Sequence, residues 1–239
     1  MRRLALVTAW LSGGHAVAAG LYWLLLEVPE SNALMLVASV AVLVLLVIVA
    51  ILTETTAMAA MGETGVATWR DRLRTPGFVR RATAFIVAAA IFGAIWWLTG
   101  RASAWWLQRT GEIDAVLMLR LGWTRTSSLH ASVRWALLFL RYLVGLSMAL
   151  TAMKRSMDGS LTIAVLIGSI TPSRLVEIAV CLVLFFLLPW RVVWWRPRAI
   201  PPTWTEPVFV AVKLGVLYVL ANFGWALILR TTRPRAPVT

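Results

Sequence analysis

Five ionisable side chains fall inside long apolar runs of this sequence: His15, Arg141, Arg174, Glu177 and Lys213. A charge at the centre of a bilayer costs at least about 2.5–3.5 kcal/mol on insertion scales, so each is a candidate for a ligand or pathway role. His15, beside Gly13 and Gly14, can relay protons, ligate a metal or haem, or hydrogen-bond to a neighbouring helix. The hydrogen bond is the expected use. The other histidine, His130, precedes the fourth apolar run on the side away from the cytoplasm, so a haem held by two histidines at one depth is not expected. Arg141 and Lys213 fall at similar depth, and two cations there repel unless an anion, a carboxylate or water lies between them. That makes an anionic-ligand site one reading, and snorkelling of both long side chains to the headgroups the simpler one. Arg174 and Glu177, three residues apart, share a helix face and can pair. Their position beside Pro172 is where transporters place gates.

Recognisable catalytic patterns are absent. The sequence contains no HExxH, GxSxG, Walker A, CxxC or EF-hand loop, so no catalytic residue, metal site or cofactor is assigned. Gly145, Leu146 and Ser147 are similar to the nucleophile region of intramembrane serine proteases, but Met148 and Ala149 follow where a second glycine is required. The single cysteine, Cys181, excludes an intrachain disulfide and lies in an apolar run where a thiolate is poorly solvated. Asn222, in another such run, is expected to hydrogen-bond between helices.

The elements that carry these residues follow from composition. Of 239 residues, 60% are hydrophobic and 14% charged, too apolar for a water-soluble domain at about 45–50% and about 25%. Disorder and a disulfide-stapled miniprotein are excluded as well. The expected fold is an all-α polytopic membrane protein with about six transmembrane helices, one re-entrant or half helix and an interfacial amphipathic helix. The spans are predicted near 4–26, 33–52, 82–99, 133–153, 173–190 and 208–229. The first resembles a signal peptide at Arg2, Arg3 and Ala16–Ala18, but it continues through Leu26 and reads as a retained anchor. Met58, Met61, Trp69 and Leu73 recur at near-helical spacing, so the second helix is expected to extend and then lie along the surface. Trp105, Trp106, Ile113, Val116 and Leu117 alternate with charges, predicting short interfacial helices broken near Gly111. Leu161–Ile170 is too short to span and reads as the half helix. Residues 1–230 form one transmembrane domain and 231–239 a basic cytoplasmic tail. Ser12, Ala16 and Gly20, Ala84 with Ala88, and Ala89 with Gly93 form small-residue faces that let helices approach closely.

The net charge of +13 comes from 23 Lys and Arg against 10 Asp and Glu. Much of it flanks apolar runs, which points to anionic lipids and away from nucleic acid. A cytoplasmic amino terminus places Arg2, Arg3, the five arginines between 70 and 81, Lys154 and Arg155 inside, and most tryptophans toward the outer face. Both termini are then cytoplasmic, in the cytoplasmic (inner) membrane of a bacterium. The expected function is non-enzymatic: an accessory, assembly or scaffold component packing against other membrane subunits or itself. The alternatives are a small permease or channel for an anionic or small solute, using Arg141 and Lys213, and an enzyme on lipid-linked substrates, using His130, Glu112 and Asp114.

Overall fold

A backbone in hydrocarbon must satisfy its own hydrogen bonds, and long Leu-, Val- and Ala-rich runs do so as helices. The computed structural model describes residues 2–28, 32–62, 77–122, 126–194 and 205–232. Every regular element among them is helical. In chain order these are α1 (Arg2–Glu27), α2 (Ala33–Gly62), α3 (Phe78–Gln108), α4 (Thr110–Leu121), α5 (Ser127–Asp158), α6 (Ile163–Gly168), α7 (Pro172–Leu182 continued by Val183–Leu187 and Leu188–Trp194) and α8 (Thr205–Arg230). Six of them, all but α4 and α6, are long and apolar enough to cross a membrane. The predicted surface stretch with Trp69 and Leu73, the Pro-rich connection before α8 and the tail beyond Thr232 lie outside the described residues.

The helix ends follow local chemistry. Asn32 caps α2 by accepting from the Met35 N–H at 3.0 Å, and Thr162 caps α6 by accepting from Val165 N–H at 3.3 Å. Gly122 and Gly159 end α4 and α5 with positive φ of 65° and 71°, the left-handed conformation that favours glycine. Pro172 occupies the first position of α7, where its missing N–H costs nothing, so it starts a helix rather than interrupting one.

The second helix continues past Leu52, as the spacing of Met58 and Met61 predicts. It runs 30 residues, about 45 Å, because no Gly or Pro intervenes between Ala33 and Gly62, and its last turns bury Ala57, Met58, Ala60 and Met61. The break after α3 falls at Arg109, not at Gly111, so Trp105 and Trp106 belong to a 31-residue helix, while Glu112, Asp114 and Arg120 lie on α4 with Ile113, Val116 and Leu117. The stretch predicted as a half helix contains the six-residue helix α6.

α5 and α7 each contain one π-helical turn, at Leu140–Val144 and Val183–Leu187. Such a turn inserts a residue and shifts the face that follows. The chain divides into two compact units, residues 1–85 with 176–239, and residues 86–175. In the first, α1 packs on α2, and α8 packs on α1, α2 and the second half of α7. Close approach of α1 and α2 occurs at Gly14, where a Cβ would lie 2.1 Å from Thr53 Oγ1. It is not on the predicted Ser12–Ala16–Gly20 face, since Ala16 is exposed and Gly20 has nothing near it. In the second unit, Gly145 of α5 meets Ile95 and Phe92 of α3, and the fully buried Ser147 hydroxyl donates to the Ser169 carbonyl at 2.8 Å. Ser147 therefore clips α5 to the end of α6.

Candidate functional site

The first unit gathers its polar side chains where α1, α2 and α8 meet. His15 Nδ1 lies 2.6 Å from Asn222 Oδ1, and His15 Nε2 lies 2.8 Å from Glu54 Oε1. The other carboxylate oxygen, Glu54 Oε2, accepts from the Trp225 indole N–H at 2.7 Å. Asn222 Nδ2 donates to the Tyr218 carbonyl at 2.8 Å, which fixes its amide so that Oδ1 is the atom facing His15. The Tyr218 hydroxyl in turn donates to the Ser12 carbonyl, and Trp10 Nε1 donates to the Thr53 carbonyl at 3.1 Å. Every residue in this cluster belongs to one of three helices, so the network joins α1 to both neighbours.

The geometry counts protons. Asn222 Oδ1 accepts only, so His15 Nδ1 must carry a hydrogen. One further proton lies between His15 Nε2 and Glu54 Oε1, making either an imidazolium and a carboxylate or a neutral imidazole and a carboxylic acid. In both forms the pair is neutral as a whole. That lets it enter an apolar layer without the cost of an isolated ion. Both ring nitrogens and both carboxylate oxygens are engaged, so this arrangement joins helices and leaves no ring nitrogen facing an open position for a metal.

The second unit holds a separate histidine cluster. Trp106 Nε1 donates to His130 Nδ1 at 3.1 Å, so that nitrogen carries the lone pair, and Nε2–H donates to Asp114 Oδ1 at 2.8 Å. The ring is the neutral Nε2–H tautomer, with the Trp106 and His130 rings 5.7 Å apart edge to face. The structure thus joins two of the residues considered as acid and base, but neither ring nitrogen faces outward. The hydrogen bond from His130, and then one from Thr126, hold the Asp114 carboxyl below its ordinary value of 3.8. Because the folded value is the lower one, this contact stabilises the unit above the ordinary carboxylate range, and the contribution is lost as pH falls through the lowered value. Thermal unfolding followed from about pH 5 downward is expected to show an acid-side loss that Asp114→Asn removes. An identical acid response in the variant contradicts the assignment.

The remaining sequence candidates sit in distinct settings. Arg141, in the π turn of α5, donates through Nε to Thr99 Oγ1 at 3.0 Å, and its guanidinium lies 4.4 Å from the Trp96 ring centroid. Thr99 passes its own proton to the Ile95 carbonyl at 2.7 Å. Lys213 Nζ lies 4.4 Å from the Phe209 centroid, a cation–π contact. Arg174 donates to Thr151 Oγ1 at 2.6 Å. Glu177 lines a cleft with Cys181 and Arg230.

Two participants escaped the sequence reading. Glu54 stands two residues beyond the apolar run, on the helical extension that the Met58 and Met61 spacing predicts, but no signal in the sequence points to its partners. Arg81 was counted as a loop cation, yet it is fully buried, and its Nη1 donates to Thr55 Oγ1 at 3.1 Å and Thr56 Oγ1 at 2.8 Å. Thr55 donates onward to the Ile51 carbonyl at 2.6 Å. Arg81 so ties the start of α3 to the end of α2. No protein-family model matches the chain, and no curated protein or solved structure matches it.

Proposed function

We propose that the chain is a multi-pass protein of the bacterial cytoplasmic membrane, with both termini in the cytoplasm, acting as a non-enzymatic accessory or scaffold component of a membrane complex. The six long apolar helices agree with a multi-pass membrane protein. The observation that carries the scaffold reading is how the His15 cluster uses its polar atoms: each ring nitrogen and carboxylate oxygen is directed at a neighbouring helix. Ionisable groups inside apolar helices are functional candidates by default, and here they serve to fix helix against helix. Amphipathic α4 is read as lying in the interface and α6 as a half helix within the membrane.

A second reading, a permease for an anionic solute, draws on Arg141, since π turns recur at functional sites. Gentle-detergent extraction followed by native mass spectrometry separates the two. The scaffold reading expects unrelated membrane subunits in fixed stoichiometry. A monomer or homo-oligomer without them overturns it, and retention of a small anion that is lost on Arg141→Leu with Lys213→Leu establishes the permease.

A further inference from the structure

The half-buried guanidinium of Arg141 is held by two residues of α3 within the second unit. Its Nε donates to Thr99 Oγ1 at 3.0 Å, and its central carbon lies 4.4 Å from the Trp96 ring centroid. The Trp96 ring in turn stands edge-on to Tyr142, with centroids 5.6 Å apart. Thr99 is buried and gives its own proton to the Ile95 carbonyl, so its oxygen can only accept from Arg141. An arginine has five N–H donors; this contact uses one, and the four on Nη1 and Nη2 form the end of the fork. Among the described residues nothing accepts from those two nitrogens, and neither is sealed from the surface. Gly100 brings no side chain against Nη2, since an added Cβ would stand 3.7 Å from it.

What the fork lacks is an anion. α3 contains no Asp or Glu, and α5 contains none before Asp158, 17 residues beyond Arg141. The apolar run of α3 ends at Thr99, and Arg101 follows Gly100, so the guanidinium stands where hydrocarbon gives way to headgroups. Trp96, Trp97 and Tyr142 are exposed near that level, which amphipathic aromatic rings favour. The anion common to phospholipid headgroups is phosphate. A planar fork fixed at Nε and stacked on an indole is preorganised to donate to two of its oxygens. A zwitterionic headgroup adds an ammonium that neither helix offers a nearby acid to meet. We propose that Nη1 and Nη2 of Arg141 bind the phosphate of an anionic phospholipid of the phosphatidylglycerol type. The inference rests on the membrane reading above, and it assigns Arg141 to a bound lipid rather than to a transported solute.

Membrane fractionation comes first: recovery of the full chain in the soluble fraction without detergent overturns the membrane reading itself. Detergent-purified, delipidated protein is then offered phosphatidylglycerol, phosphatidylcholine or diacylglycerol with identical acyl chains, and retention is read by native mass spectrometry. Phosphatidylglycerol is expected to be retained about tenfold better than diacylglycerol, which has no phosphate, with phosphatidylcholine between them. Arg141→Gln is expected to remove that advantage. Arg141→Lys, which keeps the charge without the fork, is expected to lose about threefold and carries the test should the glutamine variant fail to fold. Arg109 lies over Trp105 at 5.1 Å without a hydroxyl to fix it, so Arg109→Gln controls for diffuse positive charge and is expected to change retention less than about twofold. Equal retention of phosphatidylglycerol and either reference lipid, full retention by Arg141→Lys, or equal losses in Arg141→Gln and Arg109→Gln overturns the proposal. Displacement of the lipid by inorganic phosphate at constant ionic strength also overturns it, by assigning the fork to a free anion.

Discussion

Replacing Glu54 with leucine lowers the stability of the protein by about 3 kcal/mol, whereas replacing it with glutamine costs less than about 1 kcal/mol. The difference follows from the atoms at the junction of α1, α2 and α8. Leucine leaves two part-buried groups, His15 Nε2 and the Trp225 indole N–H, without their Glu54 partner. Each orphaned group costs about 1–3 kcal/mol. Glutamine satisfies both. Its amide N–H donates to His15 Nε2, its carbonyl accepts from Trp225, and His15 Nδ1–H still donates to Asn222. The proton between Nε2 and Oε1 is then replaced by one fixed on nitrogen, so Glu54→Gln also separates architecture from proton handling. Denaturant-titrated unfolding in bicelles measures the stabilities. Equal losses for leucine and glutamine contradict the hydrogen-bond account.

Gly224→Ala destabilises the protein by about 3 kcal/mol, at the upper end of ordinary overpacking costs, although the same exchange inside a helix usually stabilises by about 0.5–1 kcal/mol. An added Cβ at position 224 would stand 2.3 Å from the Phe185 Cβ and 2.8 Å from its Cγ. Because the first clash is with a Cβ and not with a mobile ring, truncating the partner does not relieve it. Phe185→Ala therefore fails to rescue Gly224→Ala and adds the loss of the edge-to-face contact between Phe185 and Phe223, whose centroids are 5.4 Å apart. Only a wider separation of α7 and α8 accommodates the methyl. The same bicelle titration, run as a double-mutant cycle, decides the matter: recovery of stability in the double variant shows that the ring alone made the contact.

The helices were legible in the sequence wherever an apolar run had the length of a bilayer, and the cluster was legible only in pieces. His15 and Asn222 stood out because each is a polar residue surrounded by apolar ones. Glu54 did not, since hydropathy drops at Thr53 while helix-forming capacity persists to Gly62, and the two signals part company there. Arg81 and Trp106 were misplaced for the same reason. Both lie in extensions of α3 beyond its apolar centre, where charge suggests a loop but the backbone continues as helix. The small-residue pattern identified that close packing occurs, yet Gly14 rather than Gly20 makes the approach, because the buried face of α1 is set by Val7, Thr8 and Leu11. The pairing of Arg141 with Thr99 and Trp96 is a tertiary fact that no spacing within one helix contains.

The His15 cluster also carries an order in time. His15 and Glu54 are made early, 39 residues apart, on two helices that pack directly against each other. They can therefore meet and share their proton as a neutral hairpin before the rest of the chain exists. Asn222 follows His15 by 207 residues, and Trp225 follows Glu54 by 171. Until α8 docks, the hairpin holds one N–H and one carboxylate oxygen in need of partners. The cluster is thus a latch set during synthesis and closed by a helix that arrives much later, and a chain that stops short of α8 remains marked as unfinished by its own unsatisfied atoms.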